Sequence, residues 1–280
     1  MRRLLVLIAL SFTVQSSAAA VKGTSMTTIA GSWRSVAVKG RLHFTVYLPA
    51  GYGSSGLRYP VVYFLHGLPA GPNSYQSASW VAGALEGTAR KAILVVPQAT
   101  RNAGDDPEYH DWGPGSNWET ALAVELPAYV DAHYRTIASR SGRALVGISA
   151  GGYGAAILGF HHLAKFGVIE SWSGYFRPTD PTGKDTLDVG SDADNAYASV
   201  HVLATKLTNQ IRRSSPFFAF YIGASDPTFV ADNKTLDREL SAAHLEHVFA
   251  VYPGGHSTAL WASHATHWLA MGLNHLESAQ

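Results

Sequence analysis

Residues 143–154 read Arg-Ala-Leu-Val-Gly-Ile-Ser-Ala-Gly-Gly-Tyr-Gly, and this stretch restricts the possible folds more than any other. Apolar Ala144–Val146 runs directly into Gly147-Ile148-Ser149-Ala150-Gly151, and a second apolar run, Tyr153–Phe160, follows at once. The pattern predicts a short buried strand, a sharp turn carrying a serine, and a buried helix, which is the setting of the G-x-S-x-G elbow. Such a turn leaves no room for side chains beside the serine, and Gly147 and Gly151 supply none. Ser149 then stands above the sheet edge, where the helix N-terminus directs free N–H groups at developing negative charge. A Gly-Ser-Ala-Gly cluster also occurs in ordinary turns, so the rest of the chain has to supply partners for the serine.

The wider pattern agrees with a layered α/β chain. Val61–Leu65, Ala92–Val96, Phe166–Ser171, Phe217–Ile222 and His247–Val251 are apolar runs of strand length. Runs without alternation suit strands buried on both faces of a parallel sheet. Between them, Ser77–Ala89, Trp118–Tyr134, Ala196–Arg213, Asp232–His244 and Thr258–Leu273 suit helices, with Pro127 implying a kink or break and Asn117 a cap. Trp33–Lys39 and Leu42–Leu48 flank Gly40-Arg41 and predict an edge hairpin. The expected class is α/β, a mostly parallel central sheet with helices on both faces. With 280 residues, 46% hydrophobic, the chain suits one domain with a large core.

In such a sheet, ligands bind beyond the carboxyl ends of the strands. Four loops in that position carry candidate chemistry, starting at His66, Ser149, Asp226 and Gly254. A serine hydroxyl needs a base within hydrogen-bond reach, and the base needs a carboxylate to fix its tautomer. Among 13 histidines, His256 follows a strand and two glycines at the correct edge. His161, His162, His244, His264 and His267 fall in predicted helices. The spacings His244-x-x-His247 and His264-x-x-His267 lack a third ligand, so no metal is expected. Asp226 directly follows the strand Phe217–Ile222 and is the expected acid, with Asp232 in reserve. The order Ser149, Asp226, His256 is that of the α/β-hydrolases. The oxyanion donors are then the N–H groups of Ala150 and Leu68.

The N-terminus has the pattern of a signal peptide: Arg2 and Arg3, apolar Leu4–Leu10, and small residues to Ala20. Its apolar run is too short to span a bilayer. Loss of residues 1–20 removes two basic and no acidic residues, taking the formal charge from +1 to −1. That balance gives no reason to expect a nucleic-acid partner, and no stable membrane insertion is expected after cleavage. With 0 cysteines there is no disulfide framework. Residues 21–32 read as a flexible lead-in.

Further pieces carry a family resemblance: Val46-Tyr47-Leu48-Pro49, Tyr59-Pro60-Val61-Val62-Tyr63, Leu65-His66-Gly67, Asp111-Trp112, Trp118-Glu119-Thr120, Glu125-Leu126-Pro127 and Gly254-Gly255-His256. Together with the elbow, and in this order, they resemble the esterase D type of α/β hydrolases, which includes feruloyl esterases, S-formylglutathione hydrolases and secreted mycolyltransferase antigens. The resemblance implies the α/β-hydrolase fold over residues 33–280 as a single catalytic domain. It implies Ser149 as nucleophile, His256 as base, Asp226 as acid, and Leu68 and Ala150 as oxyanion donors. The mycolyltransferases carry an aspartate and an arginine where this chain has His66 and Pro69.

The resulting expectation is a secreted serine carboxylesterase without cofactor, acting on a small-molecule, glycan or lipid ester. One alternative is an acyltransferase moving the acyl group to a sugar hydroxyl. Another is an exported binding protein on a hydrolase scaffold. Trp112 and Trp172, with Tyr175, Phe176 and Trp261, are candidates to line the substrate pocket or simply to pack. The loop 177–195 is a candidate lid.

Overall fold

The structure, a computed structural model, describes residues 25–180 and 183–280. The expected signal segment, residues 1–20, lies outside the described residues, as do residues 21–24 of the expected lead-in. Eight strands form one sheet: β1 (Thr27–Ser35), β2 (Gly40–Leu48), β3 (Val61–Leu65), β4 (Ile93–Pro97), β5 (Arg143–Ile148), β6 (Val168–Trp172), β7 (Phe217–Gly223) and β8 (Val248–Tyr252). Their spatial order is β1-β2-β4-β3-β5-β6-β7-β8. β1 and β2 pair antiparallel, as do β2 and β4, and every pairing from β4 to β8 is parallel.

β1 corrects the sequence reading of the N-terminal region. Residues 27–32 are strand rather than flexible lead-in, because Thr27 pairs with Leu48 and the ladder runs on to Ser35 opposite Gly40. The hairpin turn is therefore 36–39, ahead of Gly40-Arg41. Glu125 holds this turn by accepting hydrogen bonds from the Val36 and Ala37 amides at 3.1 and 3.0 Å.

The sheet separates two apolar layers. Val61, Tyr63 and Leu65 pack with the helices Ala150–His161 and Val230–Ala242 on one face. Val62 and Phe64 pack with the helices Ser79–Glu86 and Thr258–Leu273 on the other. This is strand alternation with both faces buried, and it explains the unbroken apolar runs. The helix after the serine shows which effect fixes it. Four glycines in Ala150–His161 cost about 1 kcal/mol each against alanine. Burying Tyr153, Ile157, Leu158 and Phe160 contributes about 2 kcal/mol each. Packing wins over propensity, and the glycines let the helix lie close to the sheet.

Two predicted helices differ in detail. Trp118–Thr120, Ala121–Glu125 and Leu126–His133 run on without a break, the middle piece being widened so that the Leu126 N–H reaches the Ala121 carbonyl. Pro127 has no N–H to give and its ring crowds the preceding turn, and widening that turn relieves both. Asn117 does not cap this helix with its side chain. Its Oδ1 accepts from the Gly113 N–H at 2.9 Å instead. The stretch expected as one helix over 196–213 is three: Asp192–Tyr197, capped by Ser191; Val200–Lys206, capped by Ser199; and Thr208–Ser214.

Candidate active site

β5 ends at Ile148, and Ser149 takes φ 54° and ψ −123°, a backbone conformation that a non-glycine residue adopts only under constraint. The constraint comes from both sides. The Ser149 N–H donates to the Trp172 carbonyl of β6 at 2.9 Å, and the Ser149 carbonyl accepts from Gly152 at 2.8 Å. A Cβ on Gly147 would fall on the Gly151 carbonyl, and one on Gly151 would fall on the Leu65 carbonyl. The two glycines are therefore required by close backbone approach.

His256 comes from the loop after β8. Gly254, at φ 130°, turns the chain in a way few other residues allow. Ser257 then starts the helix Thr258–Leu273, its Oγ accepting from the Leu260 N–H at 3.3 Å. This fixes the imidazole between the edges of Trp261 and Phe229, with ring centroids 5.1 and 5.4 Å away. Its Nε2 lies 2.9 Å from Ser149 Oγ and its Nδ1 2.8 Å from Asp226 Oδ2. Three side chains from three strand ends thus form one hydrogen-bonded chain.

Asp226 is fully buried, and its second oxygen accepts from the Thr228 and Phe229 amides at 3.1 and 3.0 Å. Burial alone would raise its pKa. The hydrogen bond from His256 and those from the two amides outweigh it and hold the carboxyl below its ordinary value. An Asp226 carboxylate accepting at Nδ1 leaves the imidazole Nε2 turned to the serine hydroxyl. Asp232, the reserve acid, is engaged elsewhere: it accepts from His201 Nε2 at 3.0 Å and from the Phe176 N–H at 3.0 Å.

Leu68 lines the cleft over Ser149, and Ala150 opens the helix that follows the serine. Gly67 packs so tightly on the elbow that a Cβ there would sit 2.9 Å from Ser149 Cβ. That contact sets the loop beside the serine. Neither the Leu68 nor the Ala150 N–H donates to another described backbone group. Over Ser149 opens a cleft of about 410 Å³, lined by Leu68, Pro69, Tyr175, Thr179, Phe229 and His256 among others. A second cavity, of about 600 Å³, lies beside it and shares Gly104.

The two tryptophans singled out from the sequence do not line this cleft. Trp172 is fully buried in the opposite layer, packed among Phe64, Trp80 and Trp268, with its Nε1 donating to Glu170 at 2.9 Å. Residues alternate along β6, which sends Trp172 away from the serine side. Trp112, 43% exposed, lines the second cavity. Phe176 is core, whereas Tyr175 does reach the cleft. Thr179, Asp180 and Gly183 of the candidate lid form part of the cleft wall. Sequence reasoning missed Thr228 and Phe229. The only available signal was that they follow Asp226 directly. Among the described residues no group of three or more His, Cys, Asp or Glu is placed to hold a metal ion, and no helix is long and apolar enough to cross a membrane.

A family described as putative esterase matches residues 35–269. The chain belongs to that esterase family. The Esterase Rv1288 of Mycobacterium tuberculosis is 29% identical over 237 residues, covering 75% of this chain and 51% of that protein. The diacylglycerol acyltransferase/mycolyltransferase Ag85A of Mycobacterium leprae is 25% identical over 174 residues, covering 59% of this chain and 51% of that protein. The chain therefore spans about half the length of these curated relatives. Among solved structures, a ferulic acid esterase superposes with TM-score 0.74 at 21% identity, covering 89% of this chain and 99% of that one. At that identity the likeness establishes the fold, and this family member has the α/β-hydrolase fold.

Proposed function

We propose that this chain is an exported serine carboxylesterase. The reading rests on one observation: Ser149 Oγ, His256 and Asp226 form a continuous hydrogen-bonded chain in an open cleft. In the proposed cycle, Ser149 Oγ attacks the ester carbonyl while His256 Nε2 takes its proton. The Leu68 and Ala150 N–H groups hold the oxyanion, each donor being worth roughly 3–4 kcal/mol in the transition state. The C–O bond to the alcohol breaks and the imidazolium protonates the leaving oxygen. Water, deprotonated by the same imidazole, then attacks the acyl-enzyme, and the acid leaves as Ser149 regains its proton.

The experiment is hydrolysis of p-nitrophenyl esters together with labelling by a fluorophosphonate probe. Wild-type protein should do both and Ser149→Ala neither. A wild-type chain that is not labelled would point instead to a binding protein on a hydrolase scaffold. Export is supported by the pattern of residues 1–20, and the N-terminal sequence of protein recovered from outside the cell tests it.

Acyl transfer is a second reading, favoured by the relative named as an acyltransferase. It shares the first half-reaction, with a sugar hydroxyl replacing water in the second. His66 and Pro69, where the mycolyltransferases carry an aspartate and an arginine, support hydrolysis. Product analysis with trehalose as acceptor separates the two, since transfer outpacing hydrolysis would favour the second.

A further inference from the structure

Glu108 and Tyr109 are consecutive non-glycine residues with positive φ, at 48° and 57°. Such a conformation is sparsely populated for a residue with a side chain and persists only where its surroundings impose it. Here both side chains are buried and both are committed. The Tyr109 hydroxyl donates to the His66 carbonyl at 2.8 Å. That carbonyl belongs to the peptide just before Gly67 and Leu68. A Cβ on Gly151 would lie 2.7 Å from the same oxygen, so the carbonyl is held between the elbow and the tyrosine. The Tyr109 ring lies on the elbow helix, where a Cβ on Gly154 would approach it to 2.6 Å.

Glu108 works on the other wall. Its Oε1 accepts from the Tyr175 hydroxyl at 2.9 Å and from the Thr179 N–H at 3.1 Å. Tyr175 and Thr179 both line the cleft over Ser149. Tyr175 also packs on Phe229, which in turn packs on His256. Oε2 of Glu108 has no partner among the described residues and is buried, a cost that the cycle proposed above does not explain.

We propose that the Glu108–Tyr109 turn is a positioning device that sets both walls of the cleft from one point, Tyr109 through the oxyanion loop and Glu108 through Tyr175 and Thr179. The inference rests on the esterase reading of the same cleft. Neither residue touches substrate. Tyr109 acts on the rate, because a displaced Leu68 N–H loses contact with the oxyanion and not with the ground-state ester. Glu108 acts on the shape of the acyl-binding wall.

The test uses steady-state kinetics on p-nitrophenyl esters of graded acyl size, with folding followed by circular dichroism. Tyr109→Phe removes only the hydroxyl. It should lower kcat by about 10-fold while leaving KM within about twofold. Glu108→Ala should raise KM several-fold for the larger acyl groups and change kcat little. Glu108→Gln retains an accepting oxygen and should restore wild-type KM. Tyr175→Phe should raise KM as Glu108→Ala does, and the double variant should add nothing further. The proposal is overturned if folded Tyr109→Phe keeps the wild-type kcat, or if Glu108→Gln behaves like Glu108→Ala. If Glu108→Ala does not fold, the Tyr109→Phe and Tyr175→Phe variants decide. An inactive, unlabelled wild type would instead remove the esterase reading itself.

Discussion

At the scale of single residues, two aspartates of the same type and neighbourhood have opposite assignments. Asp226 bonds His256 Nδ1, whereas Asp232 bonds His201 and the Phe176 amide. Asp226→Asn should lower kcat by about 10⁴-fold, because an amide in place of the carboxylate favours the wrong imidazole tautomer. Asp232→Asn should keep kcat within about threefold and cost about 1–3 kcal/mol of stability. Ester-hydrolysis rates and urea denaturation of both variants check the pair, and an exchange of the two outcomes would reassign the acid. Trp172 gives a second contrast. Buried among Phe64, Trp80 and Trp268, it should behave as core: Trp172→Ala should cost about 3–5 kcal/mol and leave KM nearly unchanged. A raised KM in still-folded protein would place it in substrate binding after all.

At the scale of elements, the junction of β5 with its following helix carries the most information per residue. Its two glycines face backbone atoms, which cannot move aside as a flexible side chain would. Gly151→Ala should therefore cost about 3 kcal/mol or more and abolish ester hydrolysis. Denaturant unfolding and activity should fail together, and a stable, active Gly151→Ala would mean that the elbow is looser than described. The junction was legible in the sequence because local sterics dictate it. The helix Thr258–Leu273 was legible too, and the structure adds Ser257 as its cap. The stretch 196–213 was not. Its overall pattern suits one helix, and the breaks at Ser199 and Leu207 depend on how it packs over the sheet. β1 was hidden too, since its first residues are exposed and the ladder to β2 alone makes them strand.

At the scale of the whole molecule, the sheet buries an acid in its interior. Glu170 is fully buried in β6, bonded to Trp172 Nε1, and burial pushes its pKa from 4.5 up to about 8. The folded state thus holds a proton that the unfolded chain releases near pH 4.5. Between about pH 4.5 and 8 folding takes up a proton, so this group's contribution to stability falls as pH rises through that window and then levels off. Glu170→Gln should remove that slope. Stability profiles of variant and wild type measured from pH 4.5 to 8 should diverge with rising pH, the variant gaining relative to wild type. Parallel profiles would show that Glu170 stays ionised or is solvated.

The sequence by itself determined the succession of buried strands, the elbow, and the strand ends on which Ser149, Asp226 and His256 stand. These follow from local sterics and from the rule that apolar runs must be buried. Leu68 and Ala150 came forward as donors from the elbow motif and the family resemblance. Only the tertiary structure decided that Asp226 rather than Asp232 meets the imidazole, that Trp172 faces away from the cleft, and that Glu108 and Tyr109 brace its walls. Each of those depends on a contact between residues far apart in the chain, or on which face of a strand a side chain takes. Sequence periodicity does not fix a direction toward the site when both faces of the sheet are buried.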